Sequence, residues 1–396
     1  MRYGIDLHTT TFMVAYRDAD GKIKRKKYQL TPEGMDSFKS TLTKEDVLAI
    51  ESTMTSYYFY DQLEPLVAEI IIVNPFRFKV ISESRAKTDK RDCATILEYL
   101  EHGLLPGIPI PTKGIRDLRR IFSTYMLTVK ARTSLKNRIY SLLKSEGVVL
   151  PKGNLYSRHG IAELAALKLA PFVRIQVDVL VAQVKALNAS IECLKDQVLS
   201  HTAHFRASVD LLTSVPGISP FIALGLIADI GDIGNFNHAK QLTSYLGVVP
   251  SVHESNGKRW TGHITKQGRK LSRALLSQVI HHFIGSSKMY EEQYEALKKK
   301  KGAAKAIVAM MRRLIVIVFK MLKKNETFRS INEENHARKL EAVEKIIRSL
   351  ESMKAEDIES MRERARLTYD PAYREMQQKM QREVHCPSVR KLKKLA

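Results

Sequence analysis

Three short β-rich runs open the chain with no helix between them, at residues 3–7, 12–16 and 22–30. Asp18-Ala19-Asp20-Gly21 supplies turn chemistry before the third. Strands joined by such tight connections pair antiparallel, so these residues form a meander. Thr31-Pro32-Glu33 then opens a helix, with Thr as N-cap and Pro at the first helical position. Residues 47–51 read as a strand, 56–67 as a helix, and the apolar run 70–73 as a strand of the buried kind. Strands separated by helices run parallel. An antiparallel meander feeding helix-connected parallel strands predicts a mixed α/β sheet of the RNase H-like (RuvC-like) type.

Beyond this domain, assigned to residues 1–112, the pattern turns helical. Leu118, Ile121, Tyr125, Val129, Leu135, Ile139 and Leu142 recur at three-to-four-residue steps along a basic helix. A second helical stretch covers about 160–209, rich in aliphatics and interrupted by Pro171. We assign 113–209 to a basic helix and a long helical or coiled-coil arm, for dimerisation or spacing, with a plain helical core as the alternative. Residues 210–330 form a Gly- and Pro-containing, mostly α-helical unit, in which 303–324 is an apolar helix with basic flanks. Residues 331–396 read as a charged helical extension without a clear apolar stripe, only partly ordered.

The placement of charge narrows the partner. The chain holds 65 Lys and Arg against 42 Asp and Glu, yet residues 1–100 carry 15 of each. Residues 101–330 hold 35 basic and 15 acidic side chains, which accounts for twenty of the 23 net positive charges. A polyanion is the expected partner, bound by the middle and later chain. No apolar run approaches the roughly 20 residues that cross a bilayer, and no signal-peptide core follows Met1. Three scattered cysteines form neither a disulfide framework nor a zinc site, which suits a reducing cytoplasm. His201 with His204, and His281 with His282, read as surface or core histidines rather than zinc ligands.

Several residues break the local pattern. Asp6 stands mid-strand, where alternation would not choose a charge, and Glu51 ends the fourth strand. Asp89 and Asp92, three apart, share a helix face, although such a pair alone is ordinarily a solvated face. In an RNase H-like sheet these positions converge at one edge. Four carboxylates there would hold two divalent ions, Mg²⁺ or Mn²⁺ by their preference for hard oxygen donors. Downstream, Val215-Pro216-Gly217-Ile218-Ser219 before a small-residue helix looks like a helix-hairpin-helix. Its turn, around Pro216 and Gly217, would offer backbone N–H groups to a phosphate, an ordinary helix–helix turn being the alternative. Lys258, Arg259, Lys266, Arg269, Lys270 and Arg273 could clamp phosphates. Ser255 lies beside them in a flexible loop with Asn-Gly turn chemistry, and Trp260 would pack beneath that loop or stack on a base.

In this order the pieces resemble the insertion-sequence transposases related to the Piv and MooV invertases, described as bridge-RNA-guided recombinases. Asp6, Glu51-Ser52-Thr53, Lys87-Thr88-Asp89 and Asp92 are similar to that family's RuvC-like DEDD signature. Val215-Pro216-Gly217-Ile218, Leu246-Gly247-Val248-Val249-Pro250 and residues 262–273 are similar to its C-terminal transposase domain. The family's usual Ser-Gly reads Ser255-Asn256-Gly257 here. The resemblance implies that Asp6, Glu51, Asp89 and Asp92 bind metal and that Ser255 attacks DNA. It also implies donor and target DNA, a structured bridge RNA, a homodimer or homotetramer, and a cytoplasmic, nucleoid-associated protein. Two other functions fit the same residues: a RuvC-like junction nuclease using metal-activated water, and a non-catalytic nucleic-acid-binding scaffold.

Overall fold

The computed structural model describes residues 1–74, 78, 89–149, 158–255, 258–266, 268–329 and 332–351. The chain divides into two compact units, Met1–Pro111 and Thr112–Ala396.

The first unit is built on a five-stranded sheet in the order β3-β2-β1-β4-β5. β1 (Arg2–Leu7), β2 (Thr11–Arg17) and β3 (Ile23–Gln29) form the antiparallel meander. β4 (Val47–Glu51) pairs parallel with β1, and β5 (Glu69–Val73) parallel with β4. The mixed α/β sheet read from the sequence is thus present. α1 (Pro32–Lys39) begins as its capping residues require, with Thr31 accepting a hydrogen bond from the Gly34 amide. α2 (Ser56–Leu63) is shorter than the 56–67 expected: Pro65 has no amide to continue the ladder, and Glu64–Leu66 tightens into a 3₁₀ turn. β3 presents Lys24, Arg25, Lys26 and Lys27 on the sheet's edge, where charge opposes further strand pairing.

Alternation along β1 decides which face each residue serves. Ile5 and Leu7 pack with Phe12, Phe38 and Phe59 under α1 and α2. On the opposite face Met13 and Ala15 pack with Cys93 and Leu97 of α3 (Asp89–Glu101), and Ala49 packs with Ile96 and Leu100. Gly4 and Asp6 therefore look toward α3. Gly4 is required there, because a Cβ on it would lie 2.3 Å from the Cys93 carbonyl oxygen.

The second unit is helical. α4 (Lys113–Ser145) pairs with α6 (Pro171–Leu199), and between them lies the short α5 (Arg158–Ala166). Val177, Val184, Ile191 and Val198 are buried at seven-residue intervals, a heptad seam. Pro171 and the turns at 200–205 break the expected 160–209 stretch into three helices, the last being α7 (Arg206–Thr213). α8 (Pro220–Ile230), α9 (Ala239–Tyr245), α10 (Lys270–Ile284), α11 (Lys288–Lys301) and α12 (Ala303–Lys324) surround one core. Leu118, Phe122, Leu224, Leu275, Phe283 and Leu314 belong to it. α13 (Glu333–Glu351) departs from the loose extension expected: Val343 is fully buried in that core. Lys339 Nζ donates to the Thr213 and Val215 carbonyls, and Arg206 bridges to Glu344 at 2.8 Å. Residues 352–396 lie outside the described residues. Among the described residues no helix is long and apolar enough to cross a membrane.

Candidate active site

The carboxylates of the first unit are brought together by sheet register. Ile5 and Ile50 are partners in the parallel β1–β4 ladder, so Asp6 and Glu51 stand side by side one residue further along. Asp6 is only 3% exposed although its strand neighbours are apolar. Burial and, secondarily, the Asp6 charge push the Cys93 thiol up to about 11, so Asp6 reaches the first turns of α3. Asp92, buried at 7% exposure, precedes Cys93 on that helix. Asp89 is the first residue of α3, at the helix end where backbone amides favour anions. Its side chain lies outside the described residues. Asp6, Glu51 and α3 thus share the same face of the sheet.

In the second unit the serine segment is a hairpin, not the flexible loop expected. β6 (Pro250–Ser255) and β7 (Lys258–Ile264) pair antiparallel, with Ser255 opposite Lys258 as the last pair before the turn. The strand pairing on either side outweighs the loop reading drawn from the Asn-Gly punctuation. The turn residues Asn256 and Gly257, and the side chains of Ser255, Lys258 and Arg259, lie outside the described residues. Trp260 is not buried beneath the hairpin but 54% exposed on β7. Arg273 donates to the Leu246, Lys266 and Arg269 carbonyls, bracing the segment that leads into α10. Lys266 and Lys270 are exposed, and Arg269 is the residue before α10.

The Pro216-Gly217 turn joins α7 to α8. Ser219 caps α8 by accepting from the Ile222 amide, and Pro220 opens it. Gly217 adopts φ 84°, and a Cβ on it would fall 2.7 Å from the His282 Cβ. The glycine therefore serves both the left-handed turn and its close packing on α10.

Comparison with known proteins gives this arrangement a family. A DEDD transposase profile of the IS110 group matches residues 3–147, and the profile of the IS116/IS110/IS902 transposase family matches residues 209–295. Together they cover more than half of the chain, in the order of its two motif sets. The chain belongs to the IS110/IS116/IS902 family of transposases. It is similar to the transposase for insertion sequence element IS1111A of Coxiella burnetii, 24% identical over 69% of this chain and 75% of that one. A probable family 20 transposase of Pseudomonas aeruginosa is 24% identical over 69% and 81%. The transposase for insertion sequence element IS1328 of Yersinia enterocolitica is 23% identical over the same shares.

The transposase is thereby an enzyme of DNA cleavage and rejoining, and its DEDD domain implies dependence on a divalent metal. Among the described residues no group of three His, Cys, Asp or Glu side chains is already closed around a metal position. The donor set nevertheless fits one: a buried carboxylate beside a second carboxylate is costly unless a cation joins them, and hard oxygen donors suit divalent ions.

Three supporting residues escaped the sequence reading. His8 Nε2 lies 3.2 Å from Asp6 Oδ2. Ser56, buried at the start of α2, donates to the Glu51 carbonyl and accepts from the Thr53 amide, fixing the tip of β4. Asp229, 1% exposed at the end of α8, accepts from the Ser272 amide at 2.8 Å and lies 3.8 Å from Arg269. Burial holds its carboxyl above the ordinary aspartate range, against the opposing pull of its Ser272 hydrogen bonds and of Arg269. The signal was available, since an acid in the apolar run Leu226-Ile227-Ala228-Asp229-Ile230 breaks pattern just as Asp6 does.

Proposed function

We propose that this transposase cuts and rejoins donor and target DNA with Ser255 as nucleophile and with Asp6, Glu51, Asp89 and Asp92 as the ligands of Mg²⁺ or Mn²⁺. The observation that carries the carboxylate assignment is the placement of Asp6 and Glu51 on adjoining strands, facing the helix that bears Asp92. Bound divalent ions would polarise the phosphodiester and favour ionisation of the attacking hydroxyl. The protein's part is to hold the carboxylates ionised on rigid elements and to present Ser255 beside the cations of its hairpin. In the step itself a Ser255 Oγ–P bond forms while a bond between phosphorus and a deoxyribose oxygen breaks. The serine proton leaves to solvent and the departing oxygen gains one. Attack by a second DNA hydroxyl reverses the step, so strands rejoin without an external energy source.

Recognition in this reading follows the Piv/MooV-related, bridge-RNA-guided recombinases. The Pro216-Gly217 turn acts as a helix-hairpin-helix phosphate contact, and Lys258, Arg259, Lys266, Arg269 and Lys270 grip the backbone, with Arg273 supporting them. A structured RNA pairs with donor and target, leaving the protein to read shape and phosphate. Labelled DNA run on a denaturing gel after reaction tests the chemistry. A protein–DNA adduct present in the wild type and absent in Ser255→Ala is the expected result. Free cut ends at wild-type rate in Ser255→Ala would instead establish water as nucleophile, the junction-nuclease reading.

The transposase also acts as a homodimer in this proposal. Opposite its buried seam, α6 carries a second 3-4 repeat that is exposed: Phe172, Ile175, Val179, Ala182, Ala186 and Ala189. Large residues occupy its first half and alanines its second. An antiparallel copy would set Phe172 against Ala189, Ile175 against Ala186 and Val179 against Ala182 in every layer. The same register places Asp178 beside Lys185 of the other copy, twice. Val179→Glu should convert the dimer to monomer in sedimentation; an unchanged mass would remove this interface.

A further inference from the structure

The clefts, charged patches and unpaired faces of the second unit include one feature that neither the serine hairpin nor the Pro216-Gly217 turn uses. It lies mainly on α12 and the segment after it, beyond both matched regions of the chain, with Tyr290 of α11 completing its lining. One face of α12 is core: Met310, Met311, Leu314, Ile315 and Val318 are buried. The other face opens into a groove of about 640 Å³. Arg312, Arg313, Lys320 and Lys324 line it from the helix, and Arg329 from the chain beyond. Glu326 is the single acid in its lining, and Val316 and Ile317 form a half-buried apolar floor.

We infer that this groove is a second nucleic-acid backbone site, separate from the serine hairpin. The inference rests on the reading of the protein as a nucleic-acid-processing transposase.

Four features favour a phosphate backbone. Arg312, Lys320 and Lys324 are exposed, and among the described residues no salt bridge neutralises them. They project from one helix face over twelve residues, about 18 Å at 1.5 Å per residue. That length matches roughly five nucleotide steps at 3.4 Å each. Arg313 is held in place by the Tyr290 ring, 5.4 Å from its centroid, so part of the ordering cost of binding is met before the ligand arrives. The mixture of cations with an apolar floor suits alternating phosphate and sugar. A membrane surface is a poor match, since the apolar face of α12 is already committed to the core.

The test uses the full-length protein and three probes: a 30-base-pair DNA duplex, an RNA hairpin of similar charge, and polyglutamate. Binding is followed by fluorescence anisotropy across a salt series. The combined variant Arg312→Gln, Lys320→Gln, Lys324→Gln should bind DNA, RNA or both at least about 10-fold more weakly at physiological salt. For duplex DNA the salt slope should fall by about 2.7, the contribution of three phosphates. The matched control Lys299→Gln, Lys300→Gln, Lys301→Gln removes equal charge from the exposed end of α11 and should lose less than about 3-fold. Loss for DNA alone marks a DNA site, and loss for RNA alone an RNA site; either supports the groove. Equal losses in the two variants would show a diffuse positive field and overturn it. So would loss confined to polyglutamate, which would mark an acidic-protein site. All substituted residues are exposed, and thermal unfolding verifies that both variants fold. No strand cleavage is read, so a failure of the serine chemistry would leave this result standing and distinguishable.

Discussion

Asp6→Asn should lower DNA cleavage and rejoining by at least about 10³-fold, equivalent to about 4 kcal/mol of lost transition-state stabilisation. Asparagine keeps the shape and an acceptor oxygen but removes the charge that would attract a divalent ion. The substitution should not unfold the protein. Asp6 sits on a central strand, 3% exposed, and a neutral amide is easier to bury there than a carboxylate. A second readout separates a metal role from a purely structural one. Adding Mg²⁺ or Mn²⁺ should raise the unfolding temperature of the wild type, because an ion that binds only the folded chain stabilises it by mass action. Asp6→Asn should lose most of that increment while starting at or above the metal-free wild type. Wild-type cleavage by Asp6→Asn would remove the carboxylate site from the mechanism.

Asp229→Ala should cost about 2 kcal/mol of folding stability, because it strands the Ser272 amide in the core and releases Arg269. Asp229→Asn should cost less than about 1 kcal/mol, since its side-chain oxygen still accepts from that amide. The wild type and Asp229→Asn also differ in pH dependence. Burial raises the Asp229 carboxyl above its unfolded value near 3.9, so the folded protein takes up a proton more readily than the unfolded chain. The contribution to stability is full below the unfolded value and is lost as pH rises through the folded value. Denaturant unfolding of the wild type relative to Asp229→Asn should therefore decline with rising pH across that window and level off above it. A difference that is flat from acid to neutral pH would show that the carboxyl is not raised.

Much of the first unit was legible because its signals are local. The β-rich runs, the turn at residues 18–21 and the Thr31-Pro32 cap each act within a few residues. Sheet order then follows from connection length and handedness. Asp6 was found because a charge interrupts a strand's alternation. Asp229 carries the same signal in a helix, yet its partners Ser272 and Arg269 lie some forty residues on, and nothing local points to them. The hairpin around Ser255 was misread because Asn-Gly is shared by loops and tight turns. The strand pairing on either side decides between them. The order of residues 333–351 was missed for a related reason. Lys339 looks like solvated charge until the carbonyls of Thr213 and Val215 are folded beside it.

The sequence by itself determined the alternation of strands and helices in the first hundred residues, the exceptional position of Asp6, and the concentration of positive charge after residue 100. Each is a property of neighbouring residues or of composition, and tertiary contacts do not alter it. Only the tertiary structure decided which cations are spent inside the protein and which remain for a partner. Arg273 and Lys339 satisfy backbone carbonyls, whereas Arg312, Lys320 and Lys324 face an open groove. In sequence these five are equivalent basic residues. They differ only in whether folding brings a backbone carbonyl within hydrogen-bonding reach, and that distance is set by segments far apart in the chain.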